Sequence, residues 1–365
     1  MNKTLSIVFV LFVFAFNLFG QKLAKPTLTS VSPTAAQQKV INEGVVLHDA
    51  RKYDESIARY QSVIAESADC TAAMYEMSSS LAAKGERLKS MEVATKGAKY
   101  ISDELCLFYV LIANTLDDLG KSDEAIRIYK DGLRALEGDS RFGKYRGSLY
   151  YNLGVTHLKQ KNYKDSKEAL KSAVEADFSY ASPHYLLAVV FDGTKYKIPA
   201  FLAASRFVTL EYNTQRTANS IDILTNILKP AEKNPEKGNI QIILDLNAPK
   251  DEGDFGFFDL ILGTITTVRG DDDKDKSDNQ MFIEGVGSVI AMLDEDKKIP
   301  KTFVGKMYVP FMVEMKKKGY LEAFGNMVLF LHNNKNTQAG KWIDENPSKV
   351  KDLLAWAKAY QQPAK

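Results

Sequence analysis

Histidine is the side chain that most often binds metals or transfers protons near neutral pH, and it occurs four times in this 365-residue chain. The positions are His48, His157, His184 and His332. None lies in a His-Glu-x-x-His or comparable spacing, which would place two imidazoles on one helix face toward a zinc ion. The sequence therefore predicts no catalytic metal.

The local patterns of nucleophilic catalysis and phosphate binding are also missing from the sequence. It contains no Gly-x-Ser-x-Gly elbow, and its two cysteines, Cys70 and Cys106, form no Cys-x-x-Cys pair. The glycines of "EGVGSV" at 284–289 lack the Lys-Ser/Thr ending of a phosphate loop. We predict that the protein is not an enzyme and uses no cofactor.

An acidic segment at 269–284, "RGDDDKDKSDNQMFIE", has a spacing that matches a calcium-binding EF-hand loop in part. The residues at loop positions 1, 3, 5, 7 and 12 are Asp273, Asp275, Ser277, Asn279 and Glu284. Position 6 needs glycine for a sharp turn but holds Asp278. We favour a solvated acidic loop over a calcium site, and we assign no adhesion role to Arg269-Gly270-Asp271.

The chain begins with an apolar run, "LSIVFVLFVFAFNLFG" at 5–20, behind Lys3. The run is short for a membrane span and has the form of a secretory signal peptide over residues 1–20. An uncleaved anchor is the alternative. The ending "NLFGQ" resembles signal sequences of Bacteroidetes. We expect an exported protein, either periplasmic, associated with the cell envelope or secreted, with a linker at 21–37.

A pair of small residues twelve positions apart recurs along the chain. We call the first member of each pair the anchor; the anchors are Gly44, Ser78, Ala113, Gly154 and Ala188, separated by 34, 35, 41 and 34 residues. The second members are Ser56, Ser90, Ala125, Ser166 and Ala200. Two helices cross closely where both side chains at the crossing are small. We therefore predict five helix pairs, each with its backbones close together at these positions.

The period and the pattern resemble the tetratricopeptide repeat family, and the match is strong in "YYNLGVTHLKQKNYKDSKEALKSAVEAD" at 150–177. The resemblance implies an all-α fold, a right-handed helical solenoid of about five repeats over residues 38–212. Two copies are degenerate, with Ala94 and Ala204 where the family has an aromatic residue. His157 falls on a packing position, so we expect a core histidine. The cysteines sit in successive repeats, which stack too far apart for a disulfide, so we expect two buried free thiols.

The resemblance also implies a binding groove lined by the first helix of each pair. Of the residues at groove positions, those best suited to hold a polypeptide are Asn42, Tyr75, Asn114, Tyr151, Asn152 and Tyr185. Tyrosine offers a large flat surface with a polar tip, and amides pair with peptide backbones. The basic residues with which one subclass holds a terminal carboxylate are missing here. The alternative is that the tyrosines pack between adjacent repeats.

Residues 213–365 lose the period but keep apolar positions at helical spacing, so we expect a C-terminal helical domain that continues or caps the solenoid. The formal net charge of +2 gives no field that would attract nucleic acid. We predict a scaffold that binds a segment of another envelope or exported protein and has no membrane span after signal cleavage. The alternative hypothesis is a repeat module that delivers peptide or cell-wall material to a hydrolytic C-terminal domain containing His332.

Overall fold

The computed structural model describes residues 23–226, 250–256, 258, 276–333 and 337–362. The predicted signal peptide, the tripeptide at 269–271, and Asp273 and Asp275 lie outside these residues. The chain divides into two compact units, Met1–Ala176 and Asp177–Lys365.

The first unit consists of four consecutive helix pairs. They are α1 (Ala35–Asp49) with α2 (Tyr53–Glu66), α3 (Thr71–Lys84) with α4 (Arg87–Gly97), α5 (Leu105–Asp118) with α6 (Ser122–Ala135), and α7 (Arg146–Lys159) with α8 (Tyr163–Ala176). A 3-10 turn at Ser140–Phe142 lies in the predicted insertion before α7. Two short strands, β1 (Leu28–Thr29) and β2 (Tyr100–Ile101), pair in parallel.

Each first helix contacts the second helix of its own pair and the first helix of the next pair. Each second helix packs against the first helix that follows it. Contacts of similar extent between successive second helices are not found in the described part of this unit. The first helices therefore adjoin along one side, the inner face, while the second helices stand farther apart along the outer face.

The second unit begins with the fifth predicted pair and continues with further helices. Its helices are α9 (Ala181–Gly193), α10 (Lys197–Leu210), α11 (Gln215–Asn226), α12 (Asp278–Glu295), α13 (Phe303–Met307), α14 (Val309–Lys317), α15 (Leu321–His332), α16 (Thr337–Glu345) and α17 (Pro347–Ala359). Helix α11 packs on both α9 and α10, and α15 contacts α11, α12, α16 and α17. The all-α fold of helix pairs followed by a C-terminal helical region is confirmed. The fifth pair, expected as the last repeat of 38–212, lies in the second unit.

Both small residues are buried in all five pairs, and in two pairs the structure shows them in direct contact. A Cβ atom on Gly154 would lie 2.9 Å from Leu170 Cγ and 3.3 Å from the Ser166 carbonyl oxygen. The Ser166 hydroxyl donates to the Gly154 carbonyl at 2.8 Å, and Ser90 donates to Ser78 in the same way at 2.7 Å. A small residue with a hydroxyl thus fills the crossing and joins its two helices.

The turns within the five pairs also share one conformation. Seven residues after each anchor the chain has a left-handed φ between 60° and 93°, at Arg51, Gly85, Gly120, Lys161 and Lys195. In each turn the following amide donates to the carbonyl five residues earlier, as Asn162 N does to His157 O at 2.9 Å. This is the Schellman motif, which satisfies the last carbonyls of a helix and reverses the chain. The described helices include none that is long and apolar enough to cross a membrane.

Substitution of Gly154 by valine should destabilise the first unit by about 2 kcal/mol or more, because the added methyl groups meet Leu170 and the Ser166 backbone at a packed crossing. Gly143→Val is the matched control, since a Cβ there meets only the Ser140 carbonyl at an ordinary 3.5 Å. Urea unfolding followed by circular dichroism measures both. Equal free energies of unfolding for the two variants would contradict the close crossing.

Lys161→Gly should stabilise the protein by about 1 kcal/mol, because a non-glycine residue in the left-handed region carries roughly that cost. Two other turns already have glycine at the same position, namely Gly85 and Gly120. The reverse change, Gly120→Ala, should lower the free energy of unfolding by a similar amount. If the turns did not have this conformation, the same urea titration would not show the free energies of unfolding of these two variants shifting in opposite directions.

Candidate peptide-binding face

Five of the six predicted groove residues lie on first helices of the first unit. They are Asn42 on α1, Tyr75 on α3, Asn114 on α5, and Tyr151 and Asn152 on α7. Asn42 is exposed and the other four are half-buried. Tyr185 lies on α9 in the second unit.

Each of the three asparagines uses one half of its side-chain amide, either the oxygen or the nitrogen, for a hydrogen bond within the fold. Asn114 Oδ1 accepts a hydrogen bond from the Tyr129 hydroxyl, and Asn152 Nδ2 donates to the Ser148 carbonyl at 2.8 Å. Asn42 Oδ1 accepts from Gln38 at 2.9 Å. The other halves, Nδ2 of Asn42 and of Asn114 and Oδ1 of Asn152, have no partner among the described residues. The fold therefore orients these amides and leaves a donor or an acceptor for a ligand.

Tyr75 meets the first helix of the next repeat. Its ring contacts Phe108 of α5 edge-on, with ring centroids 6.0 Å apart, and burial raises the pKa of its hydroxyl. This contact is the packing between adjacent repeats that the alternative interpretation expects. Tyr75 thus joins two helix pairs and is half-buried.

A salt bridge between neighbouring pairs fixes α5 relative to α7. Lys159 Nζ lies 2.6 Å from Asp117 Oδ2, and Ser122 donates to the other carboxylate oxygen at 2.7 Å. Burial alone would raise the pKa of Asp117, but these hydrogen bonds hold it below its usual range. Because the carboxylate already has these two partners, Asp117 has a structural role in joining the third and fourth pairs.

Tyr185 is covered by the helix that follows the fifth pair. Its hydroxyl accepts a hydrogen bond from Asn219 Nδ2 at 3.1 Å, and the Arg216 guanidinium lies 5.5 Å from its ring centroid. Its ring also packs on Phe207, with centroids 5.2 Å apart. Both Asn219 and Arg216 belong to α11, which the repeat pattern does not contain. No sequence signal therefore predicted this cover.

Two residues of the partial EF-hand match, Ser277 and Glu284, have other partners in the structure. Ser277 caps α12 by accepting from the Gln280 amide, and Glu284 lies 2.7 Å from Lys276 Nζ. Among the described residues, no three His, Cys, Asp or Glu side chains form a group that could hold a metal ion. Since Asp273 and Asp275 lie outside the description, the calcium interpretation stays untested there.

Both cysteines are free and buried, as predicted. Burial raises the pKa of Cys106 to about 11 and also raises that of Cys70. A thiol in such surroundings carries little thiolate at neutral pH and is a poor nucleophile. His157 is buried too, and burial lowers its pKa, so the predicted core histidine is confirmed.

In the second unit, a buried histidine and a buried arginine join segments that are distant in sequence, and the arginine bonds the C-terminal helix. Arg206 is fully buried, and its guanidinium donates to the Ala357 carbonyl at 2.6 Å and to the Phe178 carbonyl at 3.1 Å. Its carbon centre lies 4.5 Å from the Phe178 ring centroid. His184 Nε2 donates to the same Phe178 carbonyl at 3.0 Å, so its Nδ1 accepts from the Tyr308 hydroxyl at 2.9 Å. Every side-chain nitrogen of these two residues has a hydrogen-bond partner within the fold, and both side chains are closed to solvent.

His332, which the hydrolytic alternative requires, lies between α15 and α11. Its Nδ1 is 3.7 Å from Asp222 Oδ1 and 3.4 Å from the Thr225 hydroxyl. In a catalytic relay, one ring nitrogen of the histidine base bonds the nucleophile and the other bonds the acid. Here both contacts fall on one nitrogen, and Thr225 also donates to the Ile221 carbonyl at 3.0 Å. This geometry does not assemble such a relay.

Comparison with known proteins agrees with the repeat pattern. The family model described as tetratricopeptide repeat matches residues 108–135 and 147–180. These ranges contain most of the third and fourth helix pairs, so tetratricopeptide repeats are present in the chain. A search of curated proteins finds no match.

Solved structures with similar folds cover about half of this chain. They include PilF of Pseudomonas aeruginosa, at 14% identity and a TM-score of 0.44, covering 52% of this chain and 81% of its own. TTC0263, a tetratricopeptide protein of Thermus thermophilus, has 14% identity and a TM-score of 0.41 over 52% and 99%. YrrB, a tetratricopeptide protein with an unusual peptide-binding site, has 12% identity and a TM-score of 0.36 over 50% and 89%. No functional conclusion follows from likeness at this level.

The buried His184 should make the stability of the second unit depend on pH. Burial lowers its pKa to about 3, whereas an unfolded histidine titrates near pH 6.5. Between these values the unfolded chain binds the proton that the folded chain excludes, so stability falls as the pH falls below about 6.5. His184→Gln should reduce that slope by about 1.4 kcal/mol per pH unit. Urea titrations from about pH 4 to about 7 measure it, and identical slopes for both proteins would contradict a neutral buried ring.

Proposed function

We propose that the protein is a non-enzymatic scaffold whose inner face holds a polypeptide segment of another exported or envelope protein. The observation that carries this proposal is the row of half-buried aromatic and amide side chains on successive first helices. Tetratricopeptide repeats, which the chain contains, are typical of protein interaction modules and not of enzymes. The apolar run at 5–20 supports an exported protein.

The strongest contact surface is expected around α7, where Tyr151 and Asn152 stand side by side. A large aromatic beside an oriented amide is the combination that dominates many protein interfaces. On α5, Asn114 adds another oriented amide, whose Oδ1 accepts a hydrogen bond from the Tyr129 hydroxyl. Asparagine amides suit the backbone of a bound segment, since each peptide unit offers one donor and one acceptor.

The chemistry of the face favours a neutral or mixed-charge segment. Asp117 is already paired with Lys159, and the basic residues that would hold a terminal carboxylate are missing from the groove positions. Glu76 lies half-buried on α3, where burial raises the pKa of its carboxyl. The proposal is therefore an internal segment of the partner, bound through its backbone and apolar side chains.

The test uses a tyrosine pair from one repeat. A photo-crosslinking phenylalanine analogue replaces Tyr151 on the inner face or, as the matched control, Tyr163, which is 51% exposed at the start of α8. Crosslinks formed in the envelope of the native host are identified by mass spectrometry. We expect one partner to crosslink at position 151 and not at position 163.

The variant Tyr151→Ala with Asn152→Ala should then weaken binding of the purified partner about tenfold or more, because hot-spot truncations typically cost at least that. Tyr163→Ala should leave the affinity unchanged. If binding survives the double substitution and is supported by residues 213–365 alone, the inner face is not the binding site.

A further inference from the structure

A cavity of about 610 Å³ opens on the outer face of the first unit, between α4 and α6. Its floor is formed by buried apolar side chains, namely Met91 on α4, Ala98 directly after α4, Ile112 and Leu116 on α5, and Ile128 on α6. The volume falls in the range of sites that bind small molecules, which are mostly apolar with a few polar groups.

Beside the cavity, the second repeat has a smaller residue at one packing position than the other repeats of the first unit. Twenty positions after each anchor of the first unit the residues are Ile64, Ala98, Leu133 and Val174. Branched side chains thus occupy this position in three repeats, and a single methyl group occupies it in the second. Helix α4 is also shorter, with 11 residues against 14 in α2 and α6. The missing side-chain volume lies on the side of α4 that faces the cavity.

The mouth of the cavity carries an excess of positive charge. Its acidic residues are engaged, since Glu124 pairs with Lys121 at 3.8 Å and Asp131 pairs with Arg134. Three exposed cations also line it: Lys99, Arg127 and Lys130. No described residue makes a hydrogen bond or an ion pair with the side chains of these three. An apolar floor below unpaired cations is complementary to a ligand with an apolar body and one negative end.

The extended segment before α1 borders the cavity. Leu23 and Ala24 line the cavity, and Leu23 packs against the core of the unit. The segment is fixed because the amides of Thr27 and Leu28 donate to the Lys99 carbonyl at 3.1 and 3.0 Å and β1 pairs with β2. This fixed segment at the border favours a short ligand that enters from the mouth over a long polypeptide that runs through.

We propose that this cavity binds a small amphiphilic carboxylate, such as a medium-chain fatty acid, with its chain on the apolar floor and its carboxylate between Arg127 and Lys130. This site is independent of the inner face and belongs to the outer one. The protein then carries two binding surfaces, one for a polypeptide and one for an acyl chain.

The experiment titrates the purified chain with dansyl-labelled undecanoate and follows its fluorescence, then displaces the probe with decanoate. Decanol, which has the same chain without the charge, is the ligand control. We expect one saturable site, displacement by decanoate, and binding of decanol that is about tenfold weaker. Failure to saturate, or equal displacement by decanol, overturns the proposal.

Two variants and a matched control locate the site. Arg127→Glu with Lys130→Glu should weaken decanoate binding about tenfold, as expected for the loss of two exposed ion pairs. Thr95→Phe, which fills the cavity from α4, should abolish binding of decanoate and decanol alike. Lys144→Glu with Lys164→Glu changes the net charge equally at exposed positions outside the cavity. Circular dichroism melting confirms that each variant folds. Equal losses in the control pair, or unchanged binding in Thr95→Phe, would place the probe elsewhere and overturn the assignment.

Discussion

The backbone contact between paired helices is the constraint on which the other features depend. Where Gly154 faces Ser166, no side chain separates the two helices, and the serine hydroxyl donates to the glycine carbonyl. The same bond recurs between Ser90 and Ser78. Because the crossing is fixed at one residue on each helix, the rotation of both helices about their axes is fixed as well. Which residues face inward, outward or toward the next pair then follows from their distance to the anchor.

Much of the fold could be predicted because this constraint is visible as residue size. The five anchors gave the helix pairs, the buried thiols and the core position of His157. The turn conformation was harder to predict, since lysine or arginine occupies the left-handed position in three of the five turns. There the hydrogen bonds of the Schellman motif outweigh the local preference for glycine.

Contacts made by residues outside the period could not be predicted from the sequence. Tyr185 follows the groove rule by position, yet α11 places Asn219 and Arg216 against it. An arginine on a repeat helix is expected at the surface, but Arg206 is buried and donates to the carbonyls of Phe178 and Ala357. A buried guanidinium without a carboxylate is tolerated when hydrogen bonds and aromatic faces replace its water. No local sequence pattern predicts where the segments that supply these partners lie in the fold. For the same reason, the sequence did not predict that the fifth pair belongs to the second unit.

Departures from the repeat consensus indicate where this protein differs from a generic scaffold. A position that packs between repeats should hold a branched side chain, since an empty site loses contact energy and leaves a void. Ala98 breaks that rule in one repeat alone, and the resulting hollow is lined at its mouth by cations without partners among the described residues. Substitution of Ala98 by valine or leucine, the residue types of Val174 and Leu133, would add side-chain volume at this position. The loss of packing and the local charge coincide at one place, which is the pattern expected when stability is given up for a binding site.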